Sequence, residues 1–256
     1  MGRCRHRMFI IMKHYYLSFF IATLMSMACN MASAHDIAVA NSDDKTIYYN
    51  YNSDGTSVSV TYQGTDYSSY SNEYTGDIVI PETITYSGKT YNVTNIGEYA
   101  FRDCNTMTSV TIPNRVTSIG ERAFYKCSGL KKVIVPNFDI KNWCSIEFGN
   151  YCANPLFYAH HLYSDENTEI TELVIPDGVT SIGSSAFYGC SGLTSVTIPN
   201  SVTSIGDFAF YDCSGLKKVI VPNIDLKNWC SIRFGNFFAN PLSYAHHLYS
   251  DENTEI

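Results

Sequence analysis

Nine cysteines, seven histidines and two tryptophans are the residues of this chain whose types suit chemistry. Cys4 and Cys29 fall in an N-terminal segment treated below, which leaves Cys104, Cys127, Cys144, Cys152, Cys190, Cys213 and Cys230. In an exported chain such a set invites a disulfide framework. The spacing argues against one. Cys104 to Cys127 and Cys190 to Cys213 are each 23 residues apart. Equivalent places on stacked coils point side chains in parallel, which is poor bridge geometry, and a small apolar thiol packs well there. Cys144 and Cys152 are close enough in sequence to bridge, but 86 residues on their counterparts are Cys230 and Phe238, so such a bond is not essential. No C-x-x-C pair suggests zinc or redox work. His160-His161 and His246-His247 lie near Asp165-Glu166 and Asp251-Glu252. Neighbours on a strand face opposite ways, and no further ligands stand at useful spacing, so we expect no metal site. G-x-S-x-G, H-E-x-x-H and glycine-rich phosphate loops are absent. We therefore expect no catalytic residues, no cofactor and no enzyme.

The elements that position these residues follow from composition and repetition. The chain has 256 residues, 45% hydrophobic and only 16% charged, with 20 Tyr. Tyr, Thr and Val favour strands over helical bundles. A net charge of −7 speaks against nucleic-acid binding.

Residues 1–34 carry Arg3, Arg5, Arg7 and Lys13, then an apolar run from Tyr15 to about Ala28, then Ala32-Ser33-Ala34. Basic start, short apolar middle and small-residue site read as a secretory signal peptide. The apolar run is shorter than the ~20 residues of a spanning helix. Cleavage would leave 13 basic and 24 acidic residues, a net of −11, and no integral membrane segment.

The remainder repeats. VTIPNRVTSIGERAFYKCSGLKKV from Val110 nearly recurs as VTIPNSVTSIGDFAFYDCSGLKKV from Val196. Pro113 to Pro136, Pro176 to Pro199 and Pro199 to Pro222 are each 23 residues. A longer period of 86 lies on top, and residues 95–170 and 181–256 agree at 58 of 76 positions. Each larger unit holds two 23-residue coils and a 40-residue coil with an insert, NWCSIEFGNYCANPLFYAHHLYSDENTEI in the first copy. Within one unit, Leu193 to Ile198 ends in the alternation of a short strand. Pro199-Asn200 turns the chain, Val202–Gly206 is a second extended piece, and Ala209, Phe210 and Cys213 suit one tight turn. One coil cannot close a core alone, whereas stacked coils can. The inward ladders predicted are Ile96, Ile119, Ile182, Ile205; Phe101, Phe124, Phe187, Phe210; the four cysteines Cys104, Cys127, Cys190, Cys213; and Val110, Val133, Leu173, Val196, Val219. In the inserts, Trp143 and Trp229 are expected to form satellite cores with Phe148, Tyr151, Phe157 and with Phe234, Phe237, Tyr244.

The phased pattern I-P-x-x-V-T-S-I-G-x-x-A-F-x-x-C-x-x-L-x-x-V resembles the BspA-like leucine-rich repeat proteins of bacteria, over about residues 78–256. The resemblance implies a leucine-rich repeat solenoid, mainly β with short helical or 3-10 turns. It also implies export or surface attachment, and for some members binding of host extracellular proteins. The chain departs from the repeat at Ile256, where the first copy runs on past Ile170 into TELVIP. The expectations are a C-terminal insert acting as cap, or a fragment of a longer surface protein.

The expected organisation is a signal peptide at 1–34, an N-terminal β cap at 35–77 and a solenoid at 78–256, with inserts at about 137–170 and 223–256. The cap is a hairpin, 46–51 and 57–62 around the turn Asn52-Ser53-Asp54-Gly55. Between inward strand positions, Thr111, Ile134, Val174, Thr197 and Ile220 point outward, with Lys132 and Lys218 nearby. This mixed stripe needs a cover, either the insert or a partner. These seven are the candidate binding residues, for an extracellular protein or glycoconjugate. The alternative is a structural spacer with no binding activity of its own.

Overall fold

A computed structural model describes residues 35–68, 72–222 and 226–256; the expected signal segment lies outside the described residues. The chain opens with β1 (Ile37–Ala40), β2 (Thr46–Tyr51) and β3 (Ser57–Thr61), an antiparallel meander. Strands β4 (Gly76–Val79), β5 (Thr83–Tyr86) and β6 (Lys89–Ile96) follow. The meander joins the repeats through β3, which pairs in parallel with β6, while β5 folds back antiparallel on β6.

From β4 onward each coil contributes one strand to each of two parallel sheets. The face sheet of the first half runs β4, β7 (Met107–Thr111), then past β8 (Ser118–Ile119) in sequence to β9 (Lys132–Ile134). The lateral sheet runs β6, β8 and on to the insert. Tight turns close each coil through successive short-range bonds, as from Ala123 N to Gly120 O and from Cys127 N to Phe124 O. Bonds between coils, such as Phe101 N to Ala123 O, stitch the turns together.

The insert forms a rung. Helix α1 (Ile140–Ser145) is capped by Asp139, whose side chain accepts Asn142 N–H. Strand β10 (Glu147–Phe148), helix α2 (Leu156–Ala159) and strand β11 (Leu162–Tyr163) follow. β10 pairs with β8 and β11 with β9, both in parallel. The second half repeats the plan with β12 (Glu172–Val174), β13 (Ser181–Ile182), β14 (Ser195–Thr197), β15 (Ser204–Ile205) and β16 (Lys218–Ile220). It ends with α3 (Leu226–Ser231), β17 (Arg233–Phe234), α4 (Leu242–Ala245) and β18 (Leu248–Tyr249).

Two ladders differ from the sequence-based expectation. Val133 does not meet Leu173. It pairs with Leu162, 29 residues on, and Leu173 begins a separate four-stranded sheet, β12–β14–β16–β18. Ile119 likewise meets Phe148, and Ile182 starts its own sheet with Ile205 and Phe234. The cause is that the two helices make the insert a coil of its own. An antiparallel turn then closes the sheet, with Tyr163 opposite Glu169 and Ile170 N bonded to Leu162 O. The 40-residue coil is thus a 29-residue rung plus an 11-residue hairpin link.

The phenylalanine ladder is likewise split into two pairs, with the insert rung packed against the second half. Phe101 and Phe124 lie 4.9 Å apart and 13° from parallel, and Phe187 and Phe210 lie 5.3 Å apart at 18°. All four are buried, as are the ladder cysteines, which are free thiols. Cys127 Sγ donates to Phe101 O and Cys213 Sγ to Phe187 O, the same bond in each half. Cys144 and Cys152 are also unbridged. The first insert seats the second half: Trp143 Nε1 donates to Ala186 O at 2.8 Å, and Asn154 Nδ2 to Ser185 O at 2.6 Å.

Candidate partner-binding grooves and the aromatic edge

Strand alternation places two rows on the outer side of each face sheet. In the first half one row is Asp77, Ser109, Lys132 and the other is Val79, Thr111, Ile134, Tyr163, by register. In the second half the rows are Glu172, Ser195, Lys218 and Val174, Thr197, Ile220, Tyr249. Each face therefore runs from an acid through hydroxyls to a lysine, beside a mostly apolar row. Neighbouring rungs are about 4.8 Å apart.

The hairpin link closes one end of each groove. Lys132 Nζ donates to Glu166 O at 2.9 Å and lies 5.0 Å from the Tyr163 ring centre. Lys218 repeats this on Glu252 O at 2.9 Å, with Tyr249 at 5.1 Å. In each link an aspartate, Asp165 or Asp251, accepts two backbone N–H groups and fixes the tip. These bonds hold both carboxyls below the usual carboxylate range.

At the other end Asp77 accepts the Thr108 and Ser109 hydroxyls, both at 2.7 Å, which lowers its pKa. What lies between is a cavity of about 380 Å³ in the first half, bordered also by Asp43 and Asn167. The second is about 240 Å³, bordered by Glu172 and Asn253.

Of the seven residues singled out from sequence, these grooves bring together Thr111, Lys132 and Ile134 in one and Val174, Thr197, Lys218 and Ile220 in the other. Val174 is 51% exposed, and Thr111 and Thr197 are part-exposed. Ile134 and Ile220 do not form an open stripe with it. They are only 6% and 8% exposed, because each has the hairpin-bearing rung as its next neighbour. The insert thus covers part of the stripe and leaves the rest open.

The histidines are used structurally. His160 Nδ1 meets Gly189 O at 2.8 Å, whereas His161 Nδ1 meets Glu169 Oε1 at 2.6 Å across the hairpin. Among the described residues no group of three or more His, Cys, Asp or Glu comes together as a metal site. Within the same residues no helix is long and apolar enough to cross a membrane.

Sequence reasoning missed a second surface. The satellite cores are smaller than expected. Trp143 and Trp229 are buried against Phe148 and Phe234, each at 5.8 Å, but Tyr151 and Phe237 point to solvent at 49% and 75% exposure. Tyr151 stacks on Tyr188 at 5.5 Å, Tyr188 meets Phe208, and Phe208 stacks on Phe238 at 5.9 Å. Toward the N-terminus the same edge continues as Arg102 over the Tyr67 and Tyr99 rings. Its residues lie on the tight turns, and several hold left-handed backbone: Tyr99, Arg122, Lys126, Phe208 and Asp212, with φ of 53° to 62°. That conformation aims non-glycine side chains outward at some cost. The available signal was the set of differences between the copies, which cluster here: Arg102 against Tyr188, Arg122 against Phe208, Lys126 against Asp212, Cys152 against Phe238.

Coils of one strand per sheet, stacked in parallel and closed by tight turns, define a leucine-rich repeat solenoid. The chain belongs to the BspA type leucine rich repeat region family, whose model matches residues 66–154 and 161–239 in six copies. A comparison with curated proteins gave no match. Among solved structures, it is similar to a leucine-rich repeat protein from Bacteroides ovatus, at 24% identity and a TM-score of 0.43, covering 75% of this chain and 50% of that one. A leucine rich cell surface protein from Faecalibacterium prausnitzii gives 24% and 0.44, with 72% and 54% covered. The leucine-rich repeat protein of T. pallidum gives 19% and 0.41, with 70% and 84% covered. The chain spans about half the length of the first two.

Proposed function

We propose that this chain is an exported, cell-surface binding module that engages an extracellular protein or glycoconjugate through its two face-sheet grooves. The observation that carries the reading is the doubled groove. Thr108, Ser109, Thr111, Lys132, Ile134 and Glu166 have identical counterparts in the second half, in the same register. Rows of like residues suit many shallow contacts along an extended partner segment. Convergent catalysis needs unlike residues meeting at one point. The acid-to-lysine polarity of each groove gives an extended segment one preferred direction, and the apolar row offers Val79 or Val174 as a contact. The basic, apolar, small-residue pattern of residues 1–34 supports export. We read the N-terminal meander as the cover that the first coil of a solenoid requires.

The test is binding of the chain to arrays of immobilised extracellular matrix proteins and glycans. The Thr111→Arg/Thr197→Arg double variant should lose binding yet keep the same unfolding midpoint. No binding to either array, or equal binding by the variant, would remove the reading.

A further inference from the structure

The aromatic edge is a separate surface from the grooves, and its two halves are chemically unlike. All of its cations are in the first half: Arg102, Arg122 and Lys126. The equivalent places in the second half hold Tyr188, Phe208 and Asp212. Arg122, Lys126, Phe208 and Asp212 are exposed. Beyond them, Phe238 is 41% and Phe237 75% exposed, which leaves a connected apolar patch uncovered.

From this complementarity we infer that the edge is the interface of an antiparallel homodimer. The edge spans six rungs: two coils and an insert in each half. The Tyr151–Tyr188 stack lies at its middle, between the third rung and the fourth. A two-fold axis through that stack lays the second rung of one copy on the fifth of its partner. Arg122 then faces the partner's Phe208, and Lys126 faces the partner's Asp212. The first rung, with Arg102, faces the partner's Phe237 and Phe238. Every contact occurs twice, as a two-fold interface requires.

The pairings are cation on aromatic ring and cation on carboxylate, both favourable once solvent is displaced. Within one copy Arg102 is held by Asp103 at 3.1 Å, whereas Arg122 and Lys126 are only loosely engaged. Lys126 Nζ is 3.5 Å from Asp103, and Arg122 Nε is 3.6 Å from Glu121, with both cations more than half exposed. A second copy fits better than an unrelated apolar partner, because the cations of the first half, which lie beside Asp103 and Glu121, have the same rung spacing as the exposed rings and Asp212 of the second.

The experiment is sedimentation of the signal-free chain at about 50 µM, a concentration that populates a dimer of micromolar Kd. The expected result is a dimer for the unaltered chain. Lys126→Asp and Asp212→Lys should each sediment as a monomer, and the two together should restore the dimer. Phe208→Ser should weaken association at least tenfold, with circular dichroism unchanged. An unaltered chain that is monomeric, or single reversals that leave a dimer, or a double reversal that stays monomeric, would overturn the interface.

Discussion

The grooves and the aromatic edge are built from the same coils, yet the duplication has treated them differently. Across the face sheets the two halves keep the same side chains at the same register, down to the lysine that ties each hairpin tip. Along the edge, cations in one half stand where rings and an acid stand in the other. Both surfaces hang on one buried core, so the difference does not come from packing constraint. Strand alternation fixes which residues face the groove. Edge side chains leave the turns through left-handed backbone and meet solvent, where the fold tolerates nearly any residue. A surface kept twice suits two equal sites, whereas a surface made unequal suits one composite site.

The largest effect on both surfaces comes from opening the core beneath them. Phe210→Ala deletes a fully buried ring from the Phe187–Phe210 pair. It should cost about 3–5 kcal/mol, read by urea unfolding, and both surfaces should fail together. A backbone change comes next. A Cβ at Gly215 would collide with the Ser191 carbonyl of the preceding coil. Gly215→Ala should therefore cost roughly 2–3 kcal/mol by the same assay. If it costs nothing, the coils are not in this close contact.

Milder changes separate the surfaces. Lys126 sits at φ 62°, where the equivalent residue of the third coil is Gly189, at φ 74°. Lys126→Gly should raise stability by about 1 kcal/mol by relieving that backbone, and it should also lose the dimer.

Two carboxylates respond to pH in opposite directions. Glu73, half-buried and accepting Gln63 N–H, is pushed up to about 7 by burial. Its folded value lies above its unfolded one, so its contribution is full below about pH 4.5 and is lost as pH rises to 7. The loss should be on the order of 1 kcal/mol after discounting for solvent screening, and Glu73→Gln should abolish it. Asp77 in the groove is held low by hydroxyl bonds. Its contribution is present at neutral pH and lost as pH falls through its lowered value. Denaturation midpoints from about pH 2 to 8, for the chain and for Glu73→Gln and Asp77→Asn, separate the two slopes.

The 23-residue spacing of proline and cysteine was enough to stack Phe101 on Phe124 and Phe187 on Phe210, because a repeated residue in adjacent coils has one place to go. It also put Thr111 and Thr197 on the outer face through simple alternation. It could not reveal that Leu162 follows Val133, since the insert's two short helices break the period that carries the information. Nor could it show Ile134 and Ile220 covered, which depends on a hairpin closed by Tyr163 and Glu169. The edge was invisible for another reason. Tyr99, Arg122 and Phe208 follow no strand or helix period, and non-glycine residues at positive φ carry no compositional mark.

On the proposed reading the grooves, and not the edge, hold the extracellular partner. The most direct measurement compares three proteins on the same protein and glycan arrays: the unaltered chain, Thr111→Arg/Thr197→Arg, and Phe208→Ser/Phe238→Ser. The groove variant should lose at least tenfold in affinity, while the edge variant binds each site as before. Full binding by the groove variant, with loss confined to the edge variant, would contradict it.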